Sequence, residues 1–340
     1  MSGAVNERLI QAGPDLSVIL AAPDGYAAVR RTVAQLRAQT ALGRLELVLV
    51  LPPDAEPAAP TEVAPFRWLT RIDAPRGSIG HANAAGVRHA AAPLVVLAED
   101  HCFPEPGWAQ ALLDAHRDDW AAVGPGVRNA NPATAVSWAD FLIGYGPWML
   151  PAERAEAAFL PGHNCSYKKA ELLAYGDRLD ALLEAETLLH WDLRRRGRRL
   201  LLEPAAVVRH ANFSLWRSWL PIQYFAGRLF GGTRAADMPA WKRAVYVAGA
   251  PLIPLVRLAR IAGHARRARA LGRFVRTLPA LVVGLALDGV GQFVGYLRGV
   301  GTASERVASY EYRRVDHVTA HDREHVFGMK PEPAGRTGGG

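Results

Sequence analysis

The sequence predicts an α/β fold, a mostly parallel sheet flanked by helices, on three observations. Continuous apolar runs recur at 16–22, Leu45–Leu51 and 93–98. Segments of helical spacing separate them, and each run stops at turn or polar residues such as Pro23-Asp24-Gly25, Pro52-Pro53 and Glu99-Asp100. Parallel strands covered on both faces read as unbroken apolar runs, and alternation with helices marks the α/β class. The composition permits this fold. With 340 residues, 50% hydrophobic and 21% charged, a sizeable core is available, and disordered, collagen-like and disulfide-framework classes are excluded. Cys102 and Cys165 are the only cysteines and form no CxxC. That fits a reducing compartment and offers no thiolate zinc site.

Taken in order, residues 1–14 lack a basic stretch followed by an apolar one, so no cleaved secretory signal is expected. A strand at 16–22 leads into a helix patterned by Val29, Val33 and Leu36, and Leu45–Leu51 forms the second strand. An Ala-rich helix beginning near His81 precedes the third strand at 93–98. A helix at 108–120, a short strand at 121–124 and an aromatic-rich connection with Trp138, Phe141, Tyr145 and Trp148 follow. Those aromatics either line a substrate cleft or pack as core. Beyond them lie the segment from Leu160 to Tyr167, a helix, a strand at 200–202, and a run ending at His210. The tail 331–340, closing on three glycines, reads as disordered. The expected organisation is an N-terminal extension 1–15, a catalytic domain 16–232, a basic and apolar helical region 233–302, and a partly disordered tail 303–340.

The charge is local. The formal net charge is +8, yet 238–300 holds ten Lys or Arg against the single acid Asp288, a segment charge of +9. The rest of the chain is therefore near neutral, without general polyanion-binding character. Arg266, Arg269, Arg273 and Arg276 follow helical spacing between two apolar stretches, 244–256 and 278–297. The first stretch is short and broken by proline, and the second carries Asp288, Gln292 and four glycines. A peripheral or re-entrant attachment to an anionic membrane surface is expected, against the plainer reading of a solvated basic helix pair. Nucleic acid is not expected as a partner, because no aromatic residues interleave with the arginines.

In open parallel sheets, ligands bind beyond the carboxyl ends of the strands. The loop there after the third strand is Glu99-Asp100-His101. Carboxylate plus imidazole suits a divalent ion, Mn²⁺ or Mg²⁺. Residues i and i+2 of an extended turn point the same way, so Glu99 and His101 can face one ion while Asp100 turns to a neighbouring group. Glu184-Ala-Glu186 opens a helix, where the dipole alone favours carboxylates; Glu186 is also placed to act as a general base towards a hydroxyl.

The order of these motifs resembles the family 2 inverting glycosyltransferases of GT-A fold. The matching residues are the first strand running into Pro23; Arg76-Gly77 with Asn83 and Gly86; Glu99-Asp100-His101 followed by Pro104-Glu105-Pro106-Gly107-Trp108; Gly162-His163-Asn164-Cys165-Ser166-Tyr167-Lys168; and Glu184 to Gly197. The resemblance spans about residues 16–232. It implies a metal-dependent transfer from a nucleotide-sugar donor to a hydroxyl of a glycan or lipid-linked acceptor, in envelope polysaccharide or glycolipid synthesis on the cytoplasmic side of the cell membrane. It assigns Glu99, His101 and His210 to the metal, Glu186 to proton abstraction, Pro23, Asn83 and Asp100 to the donor, and Trp148, Gly162, His163, Asn164 and Glu184 to the substrates. Two departures stand out: His101 replaces the second acid of the family's DxD, and no aspartate directly follows the second strand. They motivate one alternative, a catalytically degenerate nucleotide-sugar-binding or scaffold relative. A nucleotidyltransferase is another, since strand-end acids alone would fit it.

Overall fold

The computed structural model describes residues 13–184 and 186–329. The segment 1–12, with the signal-sequence expectation and most of the N-terminal extension, and the tail 331–340 lie outside the described residues. The strands are β1 (Leu16–Ala21), β2 (Leu45–Leu51), β3 (Trp68–Asp73), β4 (Leu94–Ala98), β5 (Cys102–Pro104), β6 (Ala122–Asn129), β7 (Ala155–Glu156), β8 (Ser166–Lys168) and β9 (Leu200–His210). They form one sheet in the order β3-β2-β1-β4-β8-β6-β9-β5, with β7 on β9. β3, β2, β1, β4, β6 and β9 share one direction, and β8 runs antiparallel between β4 and β6. This is the mostly parallel, helix-flanked α/β sheet expected of a GT-A fold. Side-chain alternation explains the unbroken apolar runs: Leu45, Leu47, Leu49 and Leu51 enter the core on one face, Val48 and Val50 the core on the other.

Three elements differ from the sequence expectation. β3 was not anticipated because it lies at the sheet edge, where only every second side chain is covered and no apolar run results. The pieces at 200–202 and 206–210 are one strand. Pro204 has no N–H to give, so the register slips there, with Pro125 opposite Glu203 and Gly126 opposite Val207. The arginine face also does not form. Arg266 ends the helix Ile253–Arg267, Arg269 takes a left-handed φ of 55°, and Arg273 and Arg276 begin the helix Leu271–Arg298. The reversal at 268–270 folds the two helices against each other, which separates residues that a continuous helix would align.

The glycines of the second apolar stretch serve close packing. Gly227 and Gly231 of the helix Trp216–Ala235 meet Asp288 and Gln292 of Leu271–Arg298, and a Cβ at Gly231 would stand 2.7 Å from the Gln292 carbonyl oxygen. Gly291 and Gly295 return the approach against Tyr224 and Arg228. Small residues at spacing four let two helix backbones approach closely. Asp288, the lone acid, is paired with Arg257 at 2.5 Å and accepts from Gln292 at 2.9 Å. By length and composition, Ala240–Arg267 and Leu271–Arg298 could each cross a membrane. Their outer faces expose Trp241, Val245, Leu252, Leu255, Val275 and Val290, among others.

One buried histidine couples this scaffold to the loop 160–164. His190, on the helix Glu186–Arg195, accepts from the Leu160 N–H at Nδ1 (3.3 Å), so its Nε2–H faces the Tyr167 hydroxyl at 2.8 Å. Burial pushes its pKa down to about 3. The folded protein thus keeps this imidazole neutral, whereas the unfolded chain binds a proton near pH 6.5. Its contribution is therefore complete above about pH 6.5 and diminishes as pH falls towards 3, by at most about 1.4 kcal/mol per pH unit. Denaturant titrations of wild type and His190→Gln from pH 7 to pH 4.5 are expected to converge as the pH drops; parallel curves would count against this assignment.

Candidate active site

The site forms where β4 and β9 end and β5 begins. β5 pairs antiparallel with β9, Cys102 opposite His210, and the Ala211 N–H donates to the His101 carbonyl at 2.9 Å. Two histidines 109 positions apart thus become neighbours, their rings 4.9 Å apart. The Thr32 hydroxyl donates to the Glu99 and Asp100 carbonyls at 3.2 and 3.0 Å and pins the loop carrying the third ligand.

Glu99 Oε2 lies 3.6 Å from His101 Nε2 and 3.6 Å from His210 Nε2. All three atoms are buried and lack a hydrogen-bond partner among the described residues. The far nitrogens are satisfied. His101 Nδ1 meets Asp100 Oδ1 at 2.5 Å, and His210 Nδ1 meets Asn212 Oδ1 at 3.0 Å. In neutral imidazoles those bonds place the protons on Nδ1 and turn both Nε2 lone pairs towards the Glu99 oxygen, the arrangement of metal-ligating histidines. Burial, followed by His101 and Arg314, pushes the His210 pKa well down and keeps that ring neutral. Donors about 2.0–2.2 Å from one ion stand roughly 3.0–3.6 Å apart, so the three residues fit a small divalent cation.

His163 sits between this cluster and Glu186. Its Nε2 is 3.1 Å from Glu99 Oε1 and its Nδ1 is 3.8 Å from Glu186 Oε1. Burial alone would lower the His163 pKa, but Glu99, Glu186 and Glu311 around it raise it overall. Burial raises the Glu186 carboxyl, with His163 opposing, which suits a proton acceptor working nearer neutral pH. Gly162 makes the approach possible, because a Cβ there would lie 2.6 Å from Glu186 Oε2. Asn164, in a left-handed conformation with φ 58°, ties this loop to β4 through its N–H to the Leu97 carbonyl at 2.6 Å. Both of its amide atoms are buried without a partner among the described residues.

Other residues singled out from the sequence take different places. Asp100 serves His101 as an orienting carboxylate. Glu184 accepts from the Gly80 N–H at 2.9 Å and from the Ser304 hydroxyl at 3.2 Å, on the rim of a cavity of about 130 Å³ shared with His163, Glu186 and Glu311. Pro23 lines a smaller hollow, about 10 Å³, at the ends of β1 and β2. Asn83 is buried on the helix Ile79–His89 with an unpartnered Oδ1. Trp148 belongs to the core: its indole donates to the Phe159 carbonyl at 3.2 Å, and Tyr145 stands between it and His210.

The sequence reading missed Glu311 and Arg314, which lie in the segment assigned to a partly disordered tail. Glu311 Oε2 is 3.6 Å from His101 Nε2. Arg314 is 3% exposed, holds Glu311, stands 3.6 Å from Asp140 and lies 3.7 Å above the Phe213 ring. Nothing in the local pattern around Glu311-Tyr312-Arg313-Arg314 distinguishes these charges from surface ones.

No protein-family model matches the chain, and no curated protein matches it in sequence. Among solved structures it is similar to "GalNAc-T7 with UDP, GalNAc and Mn2+", with 15% identity and a TM-score of 0.43 over 59% of this chain and 44% of that one. It is also similar to the mannosyltransferase PcManGT from Pyrobaculum calidifontis in complex with GDP-Man and Mn²⁺, with 16% identity and a TM-score of 0.45 over 89% of this chain and 88% of that one. The chain thus spans less than half the length of the first of these.

Removing one imidazole is expected to disrupt ion binding. His210→Ala should weaken Mn²⁺ by at least about 100-fold and Asp100→Asn by about 10-fold, measured by the loss of the free Mn²⁺ electron-paramagnetic signal. Unchanged affinity in His210→Ala would remove His210 from the ligand set.

Proposed function

We propose that this chain is a metal-dependent inverting glycosyltransferase of the family 2 type, transferring a sugar from a nucleotide-sugar donor to an acceptor hydroxyl. One observation carries the reading: three unpartnered buried donor atoms converge at the strand ends, one imidazole away from a buried, proton-accepting Glu186. The ion would be held by Glu99, His101 and His210. When bound, it supplies positive charge against the diphosphate leaving group. Two imidazoles in the set favour Mn²⁺ over Mg²⁺.

The chain's own groups account for the remaining steps. Glu186 takes the proton of the acceptor hydroxyl as its oxygen attacks the anomeric carbon. Under this reading the acceptor oxygen attacks from the face away from the departing diphosphate, and configuration inverts. The surrounding carboxylates favour the protonated form of His163, which in that form would contribute electrostatic stabilisation to the leaving group. Glu186→Gln is expected to lower kcat about 10²–10⁴-fold with Mn²⁺ affinity retained, assayed by transfer or hydrolysis across a panel of nucleotide sugars. Because burial raises the Glu186 carboxyl, the acid limb of kcat should lie above the ordinary carboxylate range, activity falling as Glu186 protonates. Absence of donor hydrolysis and of saturable nucleotide binding would favour the degenerate relative.

The same reading places the enzyme on the cytoplasmic face of a membrane, acting on a lipid-linked or envelope-polysaccharide acceptor. The exposed apolar faces of Ala240–Arg267 and Leu271–Arg298 and the +9 charge of 238–300 support it. Each basic residue near an anionic surface contributes about 1 kcal/mol. Vesicles containing phosphatidylglycerol should bind the protein at least about 10-fold more tightly than neutral ones, and Leu255→Glu with Val275→Glu should abolish flotation. Equal binding to both vesicle types would remove the electrostatic part of the argument.

A further inference from the structure

The cavities at the site are too small for the donor that the chemistry calls for. Pockets for ligands of that size occupy about 300–1,000 Å³, whereas the hollow at the ends of β1 and β2 measures about 10 Å³ and the one beside Glu186 about 130 Å³. One segment lines both. Tyr312 closes the first, and Ser304, Val307, Ala308 and Glu311 wall the second. The helix Ala303–Glu311 therefore lies across the strand ends, with Glu311 3.6 Å from His101 Nε2 on one side and Ser304 on Glu184 on the other.

We propose that residues 302–313 form an autoinhibitory gate that must lift before a metal-bound nucleoside diphosphate can enter, an inference that rests on the sugar-transfer reading of the same site. The ends of the segment are fitted to this role. On one side Gly299 and Gly301 adopt left-handed φ values of 75° and 55°, which break the long helix and allow the chain to pivot. On the other side the chain is anchored in the core. Arg314 is buried against Asp140 and Phe213, Val318 is fully buried, and Asp322 accepts from the Ser214 hydroxyl at 2.5 Å. Between those points, the polar contacts to the strand-end site run through Ser304, Glu311 and Arg313, whose Nε stands 3.8 Å from Asp24 Oδ2 in the loop after β1. Glu311 carries its carboxylate up to the ligand cluster, 3.6 Å from His101 Nε2.

Hydrogen exchange of the full-length protein, alone and with Mn²⁺ plus UDP or GDP, tests the gate. The expected result is protection of amides at the ends of β1 and β4 together with exchange at least about 10-fold faster across 303–312. Strand-end protection with slower or unchanged exchange in 303–312 overturns the gate and leaves the sugar-transfer reading standing. Absence of protection anywhere with either nucleotide counts against the sugar-transfer reading, and the gate falls with it. A second measurement uses Val307→Ser, on the segment's side of the cavity and outside the ligand cluster. Calorimetry should show Mn²⁺-UDP or Mn²⁺-GDP binding about 3- to 10-fold more tightly than to wild type; weaker binding would mean that the segment helps to hold the donor.

Discussion

Two imidazoles and a carboxylate are buried with their free donor atoms facing one another. An unsatisfied buried polar atom costs about 1–3 kcal/mol, so this cluster opposes folding unless something binds it. The surrounding structure nevertheless holds it in place. The β5–β9 pairing sets the two histidines side by side, Asp100 and Asn212 fix their tautomers, and Thr32 anchors the loop backbone. The local arrangement therefore fits an ion, and the destabilisation it carries without one is borne by the two cores on either side of the sheet.

The C-terminal helices extend this organisation to the surface. A helix that packs through glycine on one face and exposes valine and leucine on the other is neither a plain core helix nor a plain membrane span. Gly291 and Gly295 hold it to Trp216–Ala235, while Val275, Val282, Val290 and Leu297 face outward. The helix is thus attached firmly to the α/β body with its apolar surface unspent. Its C-terminal end at Arg298 leads through Gly299 into the segment over the ligand cluster. Surface and site are consecutive along the chain.

Legibility in the sequence followed burial. β2 could be read to the residue because each of its side chains is buried, whereas edge strand β3 left no such run. Glu99 and His101 were visible because polar residues directly after a buried strand require a reason. His210 needed the family resemblance, since a single histidine after a strand carries no local signal and its partner lies across β5. Glu311 and Arg314 were out of reach. Their importance comes entirely from where the chain returns after 298, a tertiary fact that 3.6-residue periodicity does not encode. The arginine series failed for the converse reason: its spacing was helical, but one left-handed residue, Arg269, divided the helix.

The charge around His163 bears on how the site is loaded. Glu99, Glu186 and Glu311 surround one raised-pKa imidazole, with Arg314 behind Glu311. In a buried site, a divalent cation alone or a diphosphate dianion alone shifts this balance by two charges, and uncompensated charge is expensive where water is excluded. A metal and a diphosphate arriving together leave the total unchanged. Under the proposed function, the pair is the species this site is built to admit.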